Sequence, residues 1–174
     1  MTGRCAIVVV MTCVLTACSG GSSAGLAQAP AAVRAAPAAS LLQQVRAAGR
    51  IGVELDVQPL RDPQVQDLRT AATDAEGRGD FDAARVSIDK ALLLAPADPD
   101  LLQWRAELSL VHRDFPEAER LAQRSFDIGP KSGGLCRRNW TTIQLAAESR
   151  GDQPRAGRAR EQAASCRIAP PVRM

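Results

Sequence analysis

The hydrophobic and polar positions between residues 79 and 130 follow one pattern that is written twice. The segment 79–84, GDFDAA, returns as RDFPEA at 113–118, and Pro96 returns as Pro130, so each pair lies 34 residues apart. A fixed period of this size is typical of stacked helical hairpins, because each hairpin buries its apolar face against the next one. The pattern therefore predicts an all-α stack of helical hairpins.

A third, more degenerate copy of the pattern follows after a Gly pair. Trp140, Ile143 and Ala147 keep the spacing of a first helix, and the turn returns as Gly151-Asp152. We therefore predict three hairpins, with six helices, over residues 65–170, followed by a short tail at 171–174. An Asp stands at the start of each second helix, where its side chain can accept a backbone N–H.

Residues 40–64 are predicted to hold a short helix and then an extended segment. Leu41, Leu42 and Val45 form one apolar stripe on the predicted helix. Residues 51–57 alternate apolar and polar side chains, which is the period of a strand. Two alternatives stay open for this segment, since it can pack on its own domain or pair with a strand of another protein.

The N-terminal residues 1–17 have the layout of a signal peptide rather than of a folded element. Arg4 precedes the apolar run 5–14, and the run ends at Leu15-Thr16-Ala17-Cys18. This ending resembles the lipobox of bacterial lipoproteins, in which the Cys carries a diacylglycerol and a further acyl chain such as palmitate. The resemblance implies that Cys18 is the first mature residue and the lipid attachment site. Because Ser19 rather than Asp follows, it also implies the periplasmic face of the outer membrane.

Residues 18–39 are predicted to be a flexible, lipidated tether between the membrane and the helices. They consist mainly of Gly, Ser, Ala and Pro, with Arg34 as their one charged side chain. Such a segment has too little apolar surface to form a core.

Five cysteines are present, and three of them belong to the N-terminal segment. Cys136 and Cys166 remain as an even pair, in a compartment that the lipobox implies to be oxidising. We predict a disulfide between them, and two buried free thiols are the alternative. A metal site is not expected, because two Cys and a single His do not complete a zinc shell.

Over residues 65–169 the copies resemble the tetratricopeptide (TPR) family, which has the same period. Its pattern has a large apolar residue early in the first helix, as at Leu68. It has a small residue early in the second helix, as at Ala84 and Ala118. The third copy departs from the pattern at its end, where Ile168 stands in place of Pro.

The family resemblance also implies a binding surface, because TPR stacks bind peptides along the face made by their first helices. Carried over position by position, the partner-binding residues are Gln66, Arg69, Thr73, Glu76, Asp100, Gln103, Glu107, Leu110, Arg138, Thr141, Leu145 and Glu148.

Charge and motifs narrow the function classes. The chain carries a net charge of +3, but its basic residues are not interleaved with aromatic ones, which argues against nucleic acid as a partner. The sequence shows no nucleophile with a serving base and no glycine-rich phosphate loop, so we expect no enzyme, no cofactor and no small-molecule substrate.

The sequence therefore predicts a lipid-anchored periplasmic adaptor that binds another cell-envelope protein or peptide through its repeat surface. The alternative is an assembly or pilot factor for a secretion, pilus or outer-membrane complex.

Overall fold

The computed structural model describes residues 37–51 and 61–167, and these residues form seven α-helices without a strand. The predicted all-α stack of hairpins is confirmed over this part of the chain. The signal peptide, Cys18, most of the tether, the predicted strand beyond residue 51 and the tail lie outside the described residues. In chain order the helices are α1 (Ala38–Gly49), α2 (Pro63–Gly77), α3 (Phe81–Leu94), α4 (Pro99–Val111), α5 (Phe115–Ile128), α6 (Gly133–Ser149) and α7 (Gln153–Ser165).

The three hairpins are α2–α3, α4–α5 and α6–α7, and each turn ends on an aspartate that caps the second helix. Asp80 accepts a hydrogen bond from the backbone N–H of Ala83 at 2.9 Å. Asp114 and Asp152 accept equivalent bonds from the third residue of their helices at 3.2 and 3.0 Å. The predicted caps are therefore present, and each contributes about 1 kcal/mol to helix stability.

The residue before each capping aspartate lies in the left-handed region of backbone space. The first and third turns use Gly79 (φ 75°) and Gly151 (φ 78°), whereas the second turn places Arg113 there at φ 60°. A side chain in this region costs roughly 1–2 kcal/mol, so the second turn carries strain that the other two avoid.

Small residues let the helices of a hairpin approach closely in the core. Ala72 and Ala75 of α2 and Ala84 and Ile88 of α3 are fully or almost fully buried, and Trp104 of α4 packs against them. No Cα atom of α2 lies within 8 Å of one in α4, so the large indole ring fills the wider gap between these helices.

A disulfide joins the two ends of the last hairpin. Cys136, in the first turn of α6, is bonded to Cys166, which follows α7, and their Cα atoms are 5.7 Å apart. The predicted pairing fits this geometry. In the described part of the chain, no helix has the length and apolar character needed to cross a membrane.

Candidate protein-binding surface

The first helices of the three hairpins share one face, which we call the A-helix face. Ion pairs link them in order: Arg69 of α2 bonds Asp100 of α4 at 2.6 Å, and Asp100 bonds Arg138 of α6 at 3.0 Å. The sequence-predicted positions on three separate repeats are thus brought together, which their common register within the repeat requires.

Helix α1 lies on the A-helix face, over α4 and α6. Its side chains Leu41 and Val45 pack with Leu110 of α4 and Leu145 of α6, and Val45 is fully buried. Both contacts come from the apolar stripe that the sequence predicts on this helix. The stripe therefore has its partner within the same domain, on the surface assigned to an outside protein.

Arg46 of α1 fixes the helix to two acidic side chains of the A-helix face. Its guanidinium donates to both carboxylate oxygens of Glu76 at 2.7 and 2.9 Å, and to Glu107 at 3.1 Å. Two-pronged contacts of this kind are the stronger and more directional form of an arginine–carboxylate pair. Arg46 therefore connects α1 with both α2 and α4.

The C-terminal end of α1 is held by Arg137 of α6. Arg137 is mostly buried and donates to the backbone oxygens of Ala48 (3.1 Å), Gly49 (3.5 Å) and Cys166 (3.3 Å). Carbonyl groups at a helix end have no partner within the helix, so an arginine placed there satisfies them. One side chain thus joins α1 to the disulfide end of the last hairpin.

Gly49 allows this close approach. A Cβ atom built on Gly49 would lie 2.7 Å from Cγ and 2.8 Å from Cδ of Arg138, closer than nonbonded carbons come. Because the head of Arg138 is held by two ion pairs, its side chain has little freedom to move away. A side chain at position 49 therefore works against the docking of α1.

Polar groups lie buried under α1. Glu107 is fully buried and accepts hydrogen bonds from Arg46, Arg138 and Gln103. Gln103 also donates to Thr142 of α6 at 2.8 Å. A buried carboxylate costs several kcal/mol unless it is paired, and these donors offset that cost for Glu107.

The ion pairs shift the pKa of Arg138 and that of Asp100. Burial alone would lower the pKa of Arg138, but the charges of Glu107 and Asp100 outweigh burial and raise that pKa above its usual value. Burial would raise the pKa of Asp100, but Arg138 and Arg69 outweigh it and lower that pKa below 3.8.

The α2 side of the A-helix face stays open. No Cα atom of α1 comes within 8 Å of one in α2, and the ion pair of Arg46 with Glu76 bridges the gap between them. The indole of Trp104 lies at this gap, since its Nε1 donates to Glu76 at 2.6 Å and the guanidinium of Arg69 is 5.2 Å from its ring. We call the α2 residues Gln66, Arg69, Thr73 and Glu76 the open strip.

The predicted site residues fall into three groups by accessibility. Cys18 lies outside the described residues. Exposed are Gln66 and Thr73; partly exposed are Arg69, Glu76, Asp100, Arg138, Thr141 and Glu148; buried are Gln103, Glu107, Leu110 and Leu145.

Several residues of this surface were not identified from the sequence. Arg46 follows directly after the apolar stripe of α1, but its role depends on where α1 docks, which the repeat pattern does not encode. Arg61 precedes α2 and approaches Asp98 and Asp100 at 3.6 and 3.8 Å. Trp104 could have pointed to this surface from the sequence, because a buried indole N–H requires a hydrogen-bond acceptor close by.

A second concave region lies away from the A-helix face, on α5 and the start of α7. Its volume is about 480 Å³, and Arg120, Arg124, Arg150 and Arg155 line it. Glu119 pairs with both Arg150 and Arg155, so much of the positive charge of this concave region is already compensated.

The described part of the chain has no cluster of metal-ligating side chains. Among residues 37–51 and 61–167, no three His, Cys, Asp or Glu side chains are grouped so that they could hold a metal ion. His112 has its Nε2 3.8 Å from the carboxylate of Asp82, at the surface. The A-helix face is built from ion pairs and hydrogen bonds between the helices.

This all-α stack of hairpins places the chain among helical-repeat domains. No model of a known protein family matches the chain, and no curated protein sequence matches it. Among solved structures, the globular C-terminal domain of P. aeruginosa LpoP is similar, with a TM-score of 0.56 and 30% sequence identity. The match covers 60% of this chain and 99% of the LpoP domain. The helical part of the chain therefore belongs to the same family as that domain.

Proposed function

We propose that this protein is a lipid-anchored adaptor that binds another cell-envelope protein or peptide through its A-helix face. The lipid is attached at Cys18, and the helices are held on the periplasmic face of the outer membrane. Similarity to a domain that forms the C-terminal globular part of P. aeruginosa LpoP supports this layout, in which a folded domain follows another region of the chain.

The observation that carries the proposal is the open strip on α2. Gln66 and Thr73 are exposed there. Arg69 and Glu76 lie two helical turns apart and are partly exposed, and they are paired with Asp100 and Arg46 within the domain. Trp104 lies buried beneath them, and its Nε1 donates to Glu76. Arg side chains such as Arg69 are enriched at the centres of protein interfaces. A polar segment with charges of both signs fits this set of groups.

The tether sets the reach of the adaptor. A flexible chain of about 20 residues spans roughly 25 Å on average, so the helices can work near the membrane without lying on it. Two or three acyl chains on one residue give firm anchoring, since each buried methylene contributes about 0.8 kcal/mol.

The direct test is crosslinking in intact cells of the native host, followed by identification of the captured protein. We expect one abundant envelope protein to be captured by the natural chain, and much less of it by Arg69→Glu. The control is Arg158→Glu on the exposed face of α7, which makes the same charge reversal away from the A-helix face.

The lipid anchor is tested by Cys18→Ala. Loss of acyl labelling and of membrane fractionation is expected. Equal capture by the natural chain and Arg69→Glu would remove the open strip from the proposal, and unchanged membrane fractionation of Cys18→Ala would remove the anchor.

A further inference from the structure

We propose that the part of the A-helix face under α1 is a receptor for a basic amphipathic helix of the partner, and that α1 occupies it until that helix displaces it. This inference rests on the proposed adaptor function and adds the chemistry of the partner. We call this region, on α4 and α6, the covered half.

The first argument is that α1 takes part in only one of the three apolar clusters of the described residues. The cluster on α2, α3 and α4 and the cluster on α4 to α7 contain no residue of α1. Leu41 and Val45 belong to the third cluster, with residues of α4, α5 and α6. Residues 50–62 connect α1 to α2, a helix whose backbone it does not approach. Its contacts are therefore those of a ligand joined to its receptor by a connecting segment.

The second argument is the shape of the covered half. It receives two apolar side chains four residues apart, Leu41 and Val45, against Leu110, Leu145 and Ala146. Anchors spaced by one helical turn are the usual way in which a groove reads an amphipathic helix. A partner helix must therefore present two apolar residues at this spacing.

The third argument is charge. Glu76 and Glu107 both accept from Arg46, and the other donors that reach Glu76 and Glu107 in the described residues are the indole of Trp104, Gln103 and Arg138. Departure of α1 leaves one guanidinium to offset two carboxylates that are mostly or fully buried. An occupant without a cation would bury two carboxylates beside a single guanidinium, which costs free energy. The partner helix therefore needs a basic residue directly after its second apolar anchor.

The fourth argument is that α1 is an imperfect occupant. Gln103 is fully buried, yet its amide oxygen has no donor while α1 is docked. Arg46 keeps about a third of its side chain exposed, so its ion pairs remain weakened by solvent. A helix with the same anchors and better-satisfied polar contacts can therefore bind more tightly than α1.

A second copy of this chain is a poorer occupant than a partner. The α1 helix of another copy has the same affinity as the resident helix, which acts at an effective concentration near millimolar because it is covalently connected. Displacement therefore requires a helix of higher affinity, which an identical chain cannot supply.

The test uses the full chain purified in detergent and a fluorescent peptide with the sequence of residues 38–50. In the variant Val45→Asp the resident helix loses its buried anchor, and the peptide should bind at least tenfold more tightly than to the natural chain, measured by anisotropy. A peptide carrying Arg46→Glu should lose at least tenfold in affinity, since it brings an anion to Glu76 and Glu107. No binding to a Val45→Asp chain that keeps its helical circular dichroism would overturn the proposal.

A second version avoids dependence on that variant. A protease site placed within residues 52–60 leaves α1 docked but no longer covalently joined, and added peptide should then speed the exchange of α1 out of the complex. Failure of the peptide to exchange with the nicked α1 contradicts the receptor role. A dimer of the natural chain in size-exclusion chromatography, with α1 exchanged between copies, contradicts the assignment of the occupant to a partner.

These outcomes are separate from those of the adaptor test. If cells yield a partner that Arg69→Glu releases while the peptide never binds, the adaptor function stands and α1 is a permanent part of the fold. If the peptide binds but no partner is captured, the receptor exists and the adaptor function fails.

Discussion

The two halves of the A-helix face occupy equivalent positions of the repeat and have opposite accessibility. Shifted by one period of 34 residues, Arg69 corresponds to Gln103 and Thr73 to Glu107. Thr73 is exposed, whereas Glu107 is fully buried beneath α1. Position in the repeat therefore decides which face a side chain joins, and the docking of α1 decides whether that side chain meets solvent.

The same difference in accessibility governs how much each ion pair contributes to the free energy of unfolding. The ion pairs of the covered half meet at Glu107, which is fully buried, so deleting one of its partners leaves a buried charge with fewer partners. The Arg69–Asp100 pair of the open strip has a carboxylate that is about a quarter exposed and is also held by Arg138, so deleting Arg69 leaves Asp100 paired.

Removal of the disulfide should have the largest effect on stability. The double variant Cys136→Ser and Cys166→Ser should lose roughly 3–4 kcal/mol of unfolding free energy, by the entropy of closing a loop of this size. The carbonyl of Cys166 shares Arg137 with the end of α1, so α1 should become more accessible to protease as well. Urea unfolding measures the first effect, and natural protein treated with reductant is the control. A loss below about 1 kcal/mol would contradict the account.

Two arginine substitutions compare the halves directly. Arg138→Met should cost about 3 kcal/mol, because Glu107 loses a partner while fully buried. Arg69→Met should cost less than about 1 kcal/mol, because its partner Asp100 keeps Arg138 and some solvent contact. Both are measured by urea denaturation. Equal losses would mean that α1 does not exclude water from the covered half.

Two glycine substitutions make a matched pair. Gly49→Ala should destabilise by roughly 1–2 kcal/mol, because the added methyl meets the stem of Arg138. Gly77→Ala, at the end of α2, meets nothing within 4 Å and should stabilise by up to about 1 kcal/mol through helix propensity. Thermal unfolding of both variants gives the sign of each effect. A neutral Gly49→Ala would show that α1 does not approach α6 as described.

Acid should weaken the network that joins the halves. The pKa of Asp100 is lowered on folding, so its contribution is present above about pH 4 and is lost as the pH falls toward the folded value. Urea midpoints should therefore decline between about pH 5 and pH 3. In Asp100→Asn the decline should be shallower, since this group no longer titrates. An equally steep decline in that variant would assign the acid sensitivity to other carboxylates.

The smallest stability effects are expected on the open strip. Gln66→Ala and Thr73→Ala should change the unfolding free energy by less than about 0.5 kcal/mol, because both side chains are exposed. They should nevertheless reduce capture of the partner in cells. If both variants keep the stability of the natural chain and capture as much partner as it does, the partner binds elsewhere.

The repeat architecture could be predicted from the sequence because it rests on local signals. The 34-residue period, the Ala positions of the hairpins and the caps at Asp80 and Asp114 all reappear in the structure. Each signal acts within a few residues of its partner or against the neighbouring helix, and pattern analysis reads such relations directly.

The docking of α1 could not be predicted in the same way. The stripe of Leu41 and Val45 identifies an amphipathic helix, but nothing in it specifies α4 and α6 as its partners rather than an outside protein. Arg46 meets acidic side chains 30 and 61 residues away, a relation that periodicity does not contain. The twelve predicted surface residues remain a prediction, and four of them are buried in the folded domain.

Hydrogen exchange of the full chain, followed by peptide-resolved mass spectrometry, tests the central claim most directly. We predict that the backbone amides of residues 42–49 exchange at least a hundredfold more slowly than those of an unfolded chain, because an isolated helix of 12 residues is marginal without packing. In Val45→Asp this protection should disappear, while α4 and α6 keep theirs. Rapid exchange of residues 42–49 in the natural chain would show that α1 does not cover the A-helix face.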